Sequence, residues 1–156
     1  MYKEINSNKR KSLALLLIFI IVITALAYLY ELYYGGGTYI TFFAIIIAST
    51  MSLVSFYAGD KLALKQAGAQ KIERKDNPYI YRMVENLAIT AGLAKPQIYL
   101  IKDPHMNAFA TGRDPEHASL ALTTGLINNL ENEELEGVIA HEMSHINNYD
   151  IRFITI

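Results

Sequence analysis

Two stretches of this chain carry no charged side chain at all, residues 12–30 and residues 35–59, of 19 and 25 residues. A helix rises about 1.5 Å per residue, so each run is long enough to cross a hydrocarbon core roughly 30 Å thick. Two such runs in a chain of 156 residues exclude an ordinary soluble domain. The first is apolar on every side, so as a helix it has no face for water. Tyr28, Tyr30, Tyr33 and Tyr34 gather at its far end, where amphipathic rings favour the membrane interface. A cleaved signal peptide would have a shorter apolar core followed by small residues. This run is longer and ends in tyrosines. The second run follows at once, which favours a span over a buried core helix. Gly35-Gly36-Gly37 lies between them and permits a tight reversal. The expectation is a transmembrane helical hairpin over residues 12–59.

The net charge of −1 is a cancellation. Residues 1–75 hold nine basic and four acidic side chains, a balance of +5, and residues 76–156 hold five basic and eleven acidic, a balance of −6. Lys3, Lys9, Arg10 and Lys11 precede the first run, and Lys61, Lys65, Lys71, Arg74 and Lys75 follow the second. The link between the runs has only Glu31. The positive-inside rule therefore puts residues 1–11, a short tail, and residues 60–76, a basic juxtamembrane linker, in the cytoplasm. Attraction to anionic headgroups accounts for the positive half, with the lipid bilayer as partner and no nucleic acid implied. There is no Cys, which excludes a disulfide scaffold, a Cys-ligated zinc finger and a thiol nucleophile.

Residues 77–156 read as a small unit near the lower size limit for an independent core. Residues 60–72 are expected to form a short helix, with Leu62, Ala63, Ala67 and Ile72 on one face and Gly68 weakening it. Asn77-Pro78 is a helix start, with Asn77 as cap, and Gly92 is placed to end that helix. Residues 97–101 are a strand, residues 106–112 contain a second, and residues 119–123 a third. Residues 125–130 form a short helix or turn. Asn132 is placed to cap the last helix, which runs to at least Asn148, with Glu133 and Glu134 in its first turn. The fold class is α+β, mainly helical, with a small β-sheet.

Inside that last helix stands His141-Glu142-Met143-Ser144-His145. Residues four apart lie on one helix face a turn from each other, so both imidazoles can reach one ion. Two imidazole nitrogens suit zinc. Glu142 lies about 100° round from His141, close enough to move a proton at the site without ligating. With four His and ten Glu, a shuffled chain of this composition shows the pattern roughly 0.6% of the time. His105 and His117 sit in polar loops and read as solvated. A zinc hydrolase needs three protein ligands and one open position. Asp150 is the nearest later carboxylate. If the helix continued, it would point about 140° from His145 and 180° from His141, which favours a helix-end role, or one behind a ligating imidazole, over ligation.

With those residues in hand, the sequence resembles the HtpX-type membrane zinc metallopeptidases, relatives of the CAAX prenyl endopeptidases. Residues 107–113 (NAFATGR), 121–127 (ALTTGLI) and 137–150 (GVIAHEMSHINNYD) carry the likeness, and the paired apolar runs are in register with it. The resemblance implies a multi-pass plasma-membrane peptidase whose zinc domain faces the cytoplasm and which removes misfolded or damaged membrane proteins. It implies one Zn2+ held by His141 and His145, with Glu142 as catalytic general base. The third ligand it implies is a glutamate further downstream, which this sequence does not contain. Residues 77–156 are then an incomplete zinc metallopeptidase domain, and two imidazoles alone would hold zinc weakly. The resemblance also implies that a strand edge beside the zinc helix aligns substrate, a role expected here of Ser119, Leu120, Ala121, Leu122 and Thr123. For Asn107 it leaves shaping of the site and stabilisation of a turn side by side. Two other classes stay open: a catalytically inactive membrane anchor or adaptor, and a zinc hydrolase that does not cut peptides.

Overall fold

The structure, a computed structural model, describes residues 2–35 and 37–155. Two long helices come first, α1 (Tyr2–Tyr34) and α2 (Tyr39–Gln66), packed against each other as a hairpin. Both are long and apolar enough to cross a membrane. Of the link, Gly36 lies outside the described residues, and Gly35 and Gly37 both have positive φ. Residues 2–11, expected as a tail, continue α1 without a break.

The turn of the hairpin is fastened by a side chain. Thr38 precedes α2 but gives it no side-chain cap. Instead Glu31, near the end of α1, accepts from the N–H groups of Ile40 at 2.5 Å and Thr41 at 3.1 Å, and from Thr41 Oγ1 at 2.5 Å. A carboxylate there answers the unpaired N–H groups and positive end of α2.

The helix expected over residues 60–72 is shorter and differently bounded. α2 runs on to Gln66, and Gly68 with φ +65° turns the chain out of it. A left-handed residue ends a helix, and glycine takes that conformation without a side-chain penalty. Ile72 is therefore not on a helix. It follows the short strand β1 (Gln70–Lys71), and its N–H donates to Ile98 O at 3.0 Å. Helix α3 (Pro78–Ala91) begins at Asn77, whose side chain accepts from Ile80 N–H, and ends at Gly92 in the left-handed region.

Three more strands follow: β2 (Gln97–Ile101), β3 (Ala108–Gly112) and β4 (Ala118–Thr123). Their spatial order is β1-β2-β4-β3. β2 and β4 are parallel, with Gln97 opposite Ser119. β3 and β4 are antiparallel, with Ala108 opposite Leu122. Helices α4 (Thr124–Asn129), α5 (Asn132–Asn147) and α6 (Asp150–Thr155) complete the chain. α5 is capped by Glu131, one residue earlier than expected: Glu134 accepts from the Glu131 N–H at 3.0 Å. Ile80, Val84, Leu120, Leu122, Leu135, Ile139 and Met143 seal the core between α3, α5 and the sheet. The mainly helical α+β architecture with a small mixed sheet is what the sequence led us to expect.

Candidate metal centre

α5 brings His141 and His145 to one face. Their rings meet edge to face at 4.8 Å, and their Nε2 atoms are 3.3 Å apart. Two nitrogens bound to one tetrahedral zinc at about 2.05 Å stand about 3.3 Å apart by geometry. The imidazoles are thus spaced for a shared ion, and the donor set suits zinc. Among the described residues no group of three or more His, Cys, Asp or Glu side chains is arranged to hold a metal. His105 pairs with Asp103 at 2.7 Å and His117 with Asp114 at 2.6 Å, and among the described residues neither joins the motif histidines in a group that could hold a metal.

Glu142 is turned toward the sheet. Its Oε2 accepts from the N–H of Ala110 in β3 at 3.2 Å. That bond fixes which backbone groups of β3 face α5. Asn107 O accepts from Thr123 N–H at 3.0 Å, so its parity points to β4. Strand residues alternate in the direction of their backbone groups, so the N–H and C=O groups of Ala108 and Ala110 point away from β4, toward α5.

The strand expected to align substrate is not an edge of the sheet. Residues Ser119, Leu120, Ala121, Leu122 and Thr123 lie in β4, which pairs with β2 on one side and β3 on the other. Its backbone groups are spoken for, and all six of its residues are buried. The sheet edge that faces α5 belongs to β3. The sequence signal was mixed: SLALT carries no charge, as a strand buried on both faces does, but its leucines alternate with small residues as in a strand with one open face.

Asn107 is held by its main chain. Its N–H donates to Thr123 Oγ1 at 2.9 Å, and its side chain is exposed. Thr123 is the hub of this corner. Its hydroxyl donates to His105 O at 2.7 Å and accepts from the N–H groups of Asn107 and Leu126, capping α4 as it does so. The connection from β3 to β4 is equally tight. Gly112 has φ +144°, and a Cβ there would stand 2.5 Å from His117 O. Partial burial would raise the Asp114 carboxyl. The hydrogen bonds from the His117 side chain and N–H, with the charges of His117 and Arg113, outweigh it and hold the group below the usual carboxylate range. Asp103 is held low too, chiefly by the His105 N–H.

Asp150 sits where an unbroken helix would not have put it. α5 stops at Asn147, and Tyr149 takes φ +60°, a left-handed conformation uncommon for a bulky residue. The chain swings back, and His145 Nδ1 donates to Asp150 Oδ2 at 2.9 Å. This holds the tautomer that leaves the Nε2 lone pair facing His141. Asp150 Oδ1 is bound in turn by Asn8 Nδ2, from α1. Nothing in the spacing of the motif pointed to Asn8.

Residues 74–156 match Peptidase family M48. A Protease HtpX homolog of Tropheryma whipplei (strain Twist) is 51% identical over 114 residues, which are 73% of this chain and 39% of that protein. One from Caldanaerobacter subterraneus subsp. tengcongensis is 40% identical over 157 residues, covering 100% of this chain and 52% of the relative. One from Limosilactobacillus reuteri (strain DSM 20016) is 40% identical over 160 residues, 53% of its length. The chain spans about half the length of such relatives. The crystal structure of S. mikatae Ste24p superposes on 97% of this chain and 35% of its own, with TM-score 0.55 and 18% identity, a likeness of fold.

Proposed function

The chain belongs to peptidase family M48, and on that footing we propose that it is the N-terminal part of an HtpX-type zinc endopeptidase embedded in a membrane. The observation that carries this reading is the 3.3 Å between His141 Nε2 and His145 Nε2, with Glu142 beside them facing a sheet edge. His141 and His145 would hold the ion, and the third ligand comes from a further segment of the longer protein. Zinc held there would supply Lewis-acid chemistry, polarising a peptide carbonyl and making water a usable nucleophile near neutral pH. Glu142 accepts the proton from the attacking water at its carboxylate and passes it to the leaving amine. β3 aligns the substrate as an added strand through the outward backbone groups of Ala108 and Ala110. Such pairing reads little of the substrate's sequence, which suits removal of many different damaged proteins. The Ala110 N–H that now holds Glu142 passes to the substrate backbone, releasing the carboxylate for the water.

The membrane placement belongs to the same proposal. The substrates are misfolded membrane proteins, met from the cytoplasmic face of the plasma membrane. Basic side chains flank both ends of the hairpin away from its turn. The metal unit docks at that same end, with Arg152 over the Phe56 ring at 4.7 Å and Arg113 over Tyr57 at 5.3 Å.

The test is made on the full-length protein with an unfolded membrane substrate. Glu142→Gln is expected to abolish cleavage while zinc stays bound, and His141→Ala or His145→Ala to lose the metal. Undiminished cleavage by the Glu142→Gln protein would remove the base from its role. Wild-type protein that neither binds zinc nor cleaves would leave the anchor or adaptor reading in its place.

A further inference from the structure

Asn8 lies before the uncharged part of α1, in the turn of helix that carries Lys9, Arg10 and Lys11. Its carboxamide offers two N–H donors, and both are used on the far side of the metal motif. One goes to Asn148 O, the carbonyl at the end of α5, at 3.1 Å, and the other to Asp150 Oδ1. The other oxygen of Asp150 accepts from His145 Nδ1 at 2.9 Å. A continuous hydrogen-bonded path thus runs from the membrane hairpin to an imidazole of the motif, in three residues. Beside it, Lys9 Nζ stands 4.2 Å over the Tyr149 ring, the residue whose left-handed backbone returns Asp150 to His145.

A carboxylate with one oxygen on an imidazole can still rotate about its Cβ–Cγ bond and exchange its partner for water. A donor on the second oxygen removes that freedom. Asn8 is suited to the task where a lysine is not. Its carboxamide supplies direction without charge, so Asp150 keeps its full negative charge for His145. The sequence separation between Asn8 and Asp150 is 142 residues, so the contact exists only when the hairpin is docked on the metal unit.

We infer that Asn8 is a positioning residue of the metal centre, through which the docked N-terminal membrane helix holds Asp150, and so His145, in the metal-binding orientation. This deepens the zinc-peptidase reading and rests on it. The function it adds is a dependence of metal affinity on how the anchor sits against the catalytic unit.

The experiment uses the full-length protein purified in detergent. Zinc affinity is measured by competition with a chromophoric chelator, and Co2+-substituted samples report ligand geometry through their visible absorption. Asn8→Leu keeps the branched side-chain shape and favours helix while removing both donors, and Asn8→Ala is the second variant should the bulkier Leu disturb packing. Replacing partners behind a metal ligand costs about 10- to 100-fold in affinity. Asp150→Ala is expected in that range. Asn8→Leu, one bond further out, is expected at about three- to ten-fold, with shifted Co2+ bands and an unchanged melting profile. In an Asp150→Ala background the Asn8 substitution should add nothing, because its path to His145 is gone.

Wild-type zinc affinity and unshifted Co2+ bands in both Asn8 variants would overturn the inference while leaving the zinc site standing. An equal loss in the Asp150→Ala background would also overturn it, showing that Asn8 acts through docking alone. Wild-type protein that binds no zinc would sink the peptidase reading itself, and the inference with it.

Discussion

In α1 and α2 the large apolar side chains point outward: Leu29 is 60% exposed and Ile47 is 55% exposed. From β1 onward many of the same residue types are sealed, with Ile80, Leu120, Leu122 and Ile139 at 0%, and exposure is the exception, as at Ile89. The polar groups invert as well. Inside the hairpin Ser12 and Ser52 are buried and Glu31 is tied across the turn, whereas the metal unit presents its carboxylates to water along the start of α5. One region is built for a solvent of lipid chains and the other for water. The hairpin's helices therefore hold together through the few groups between them and at the turn, while the metal unit holds together through a core.

The sharpest way to break this comparison is to make the same deletion in both regions. Ile139→Ala removes a fully buried side chain from the core against which the motif helix packs, and should cost about 2–5 kcal/mol. Ile47→Ala faces outward and should change stability by no more than about 0.5 kcal/mol. Thermal unfolding of the full-length protein in detergent measures both. Equal effects would mean that the outward face of α2 is covered by protein rather than lipid.

Next in size is the turn that sets β3 beside α5. Gly112→Ala places a Cβ 2.5 Å from His117 O and 2.9 Å from Ala118 Cα, at φ +144°. The obstruction is backbone, which cannot rotate away, so the loss should be about 1–3 kcal/mol. The cost should appear in the metal unit's unfolding and not in the hairpin's, which hydrogen exchange can separate by region.

The hairpin has its own counterpart in Glu31. Glu31→Ala leaves the Ile40 and Thr41 N–H groups and the Thr41 hydroxyl without their present acceptor. We expect a smaller loss than at Gly112, confined to the turn, with zinc affinity unchanged. A fall in zinc affinity would show that strain at the far turn travels the length of the helices to the metal unit, and would weaken the separation drawn between the two regions.

What could be read in advance follows the same division. Helix-forming runs announce themselves locally: two uncharged stretches, the Asn77-Pro78 start, the Gly92 stop, and two histidines four apart. Contacts between distant segments do not. Chain order places β3 before β4 but says nothing about which lies at the edge, so the edge role expected of Ser119, Leu120, Ala121, Leu122 and Thr123 falls on a strand that lies inside the sheet. Glu31 read as a lone charge in a link, because it caps a helix that begins after it. Asp150 was measured along a helix that Tyr149 in fact breaks, and Asn8 reaches its partners across nearly the whole chain. The motif was legible because its chemistry demands one helix face. Its surroundings were not, because they are assembled from three other elements, α1, β3 and α6.

The smallest expected effect lies at the corner between β3 and β4, and it has a pH signature. Asp114 caps the turn Pro115–His117 by accepting from His117 N–H at 2.9 Å, and it pairs with His117 Nδ1 at 2.6 Å. Its carboxyl is held below the usual range in the folded protein. A group depressed on folding stabilises the fold while it is ionised, and that contribution is lost as pH falls through the lowered pKa. The loss should therefore begin below about pH 4, where an unfolded aspartate takes up its proton, and should be complete only below the folded value. Asp114→Asn keeps an acceptor for the His117 N–H but removes the charge. Its unfolding midpoint should match wild type at strongly acid pH and fall below it as wild-type Asp114 ionises. The difference should be small, since the pair is partly exposed to solvent and salt screens it. A difference that persists unchanged to strongly acid pH would show that the corner depends on the shape of Asp114 and not on its charge. The polar corner would then be held, like the hairpin turn, by hydrogen-bond geometry alone.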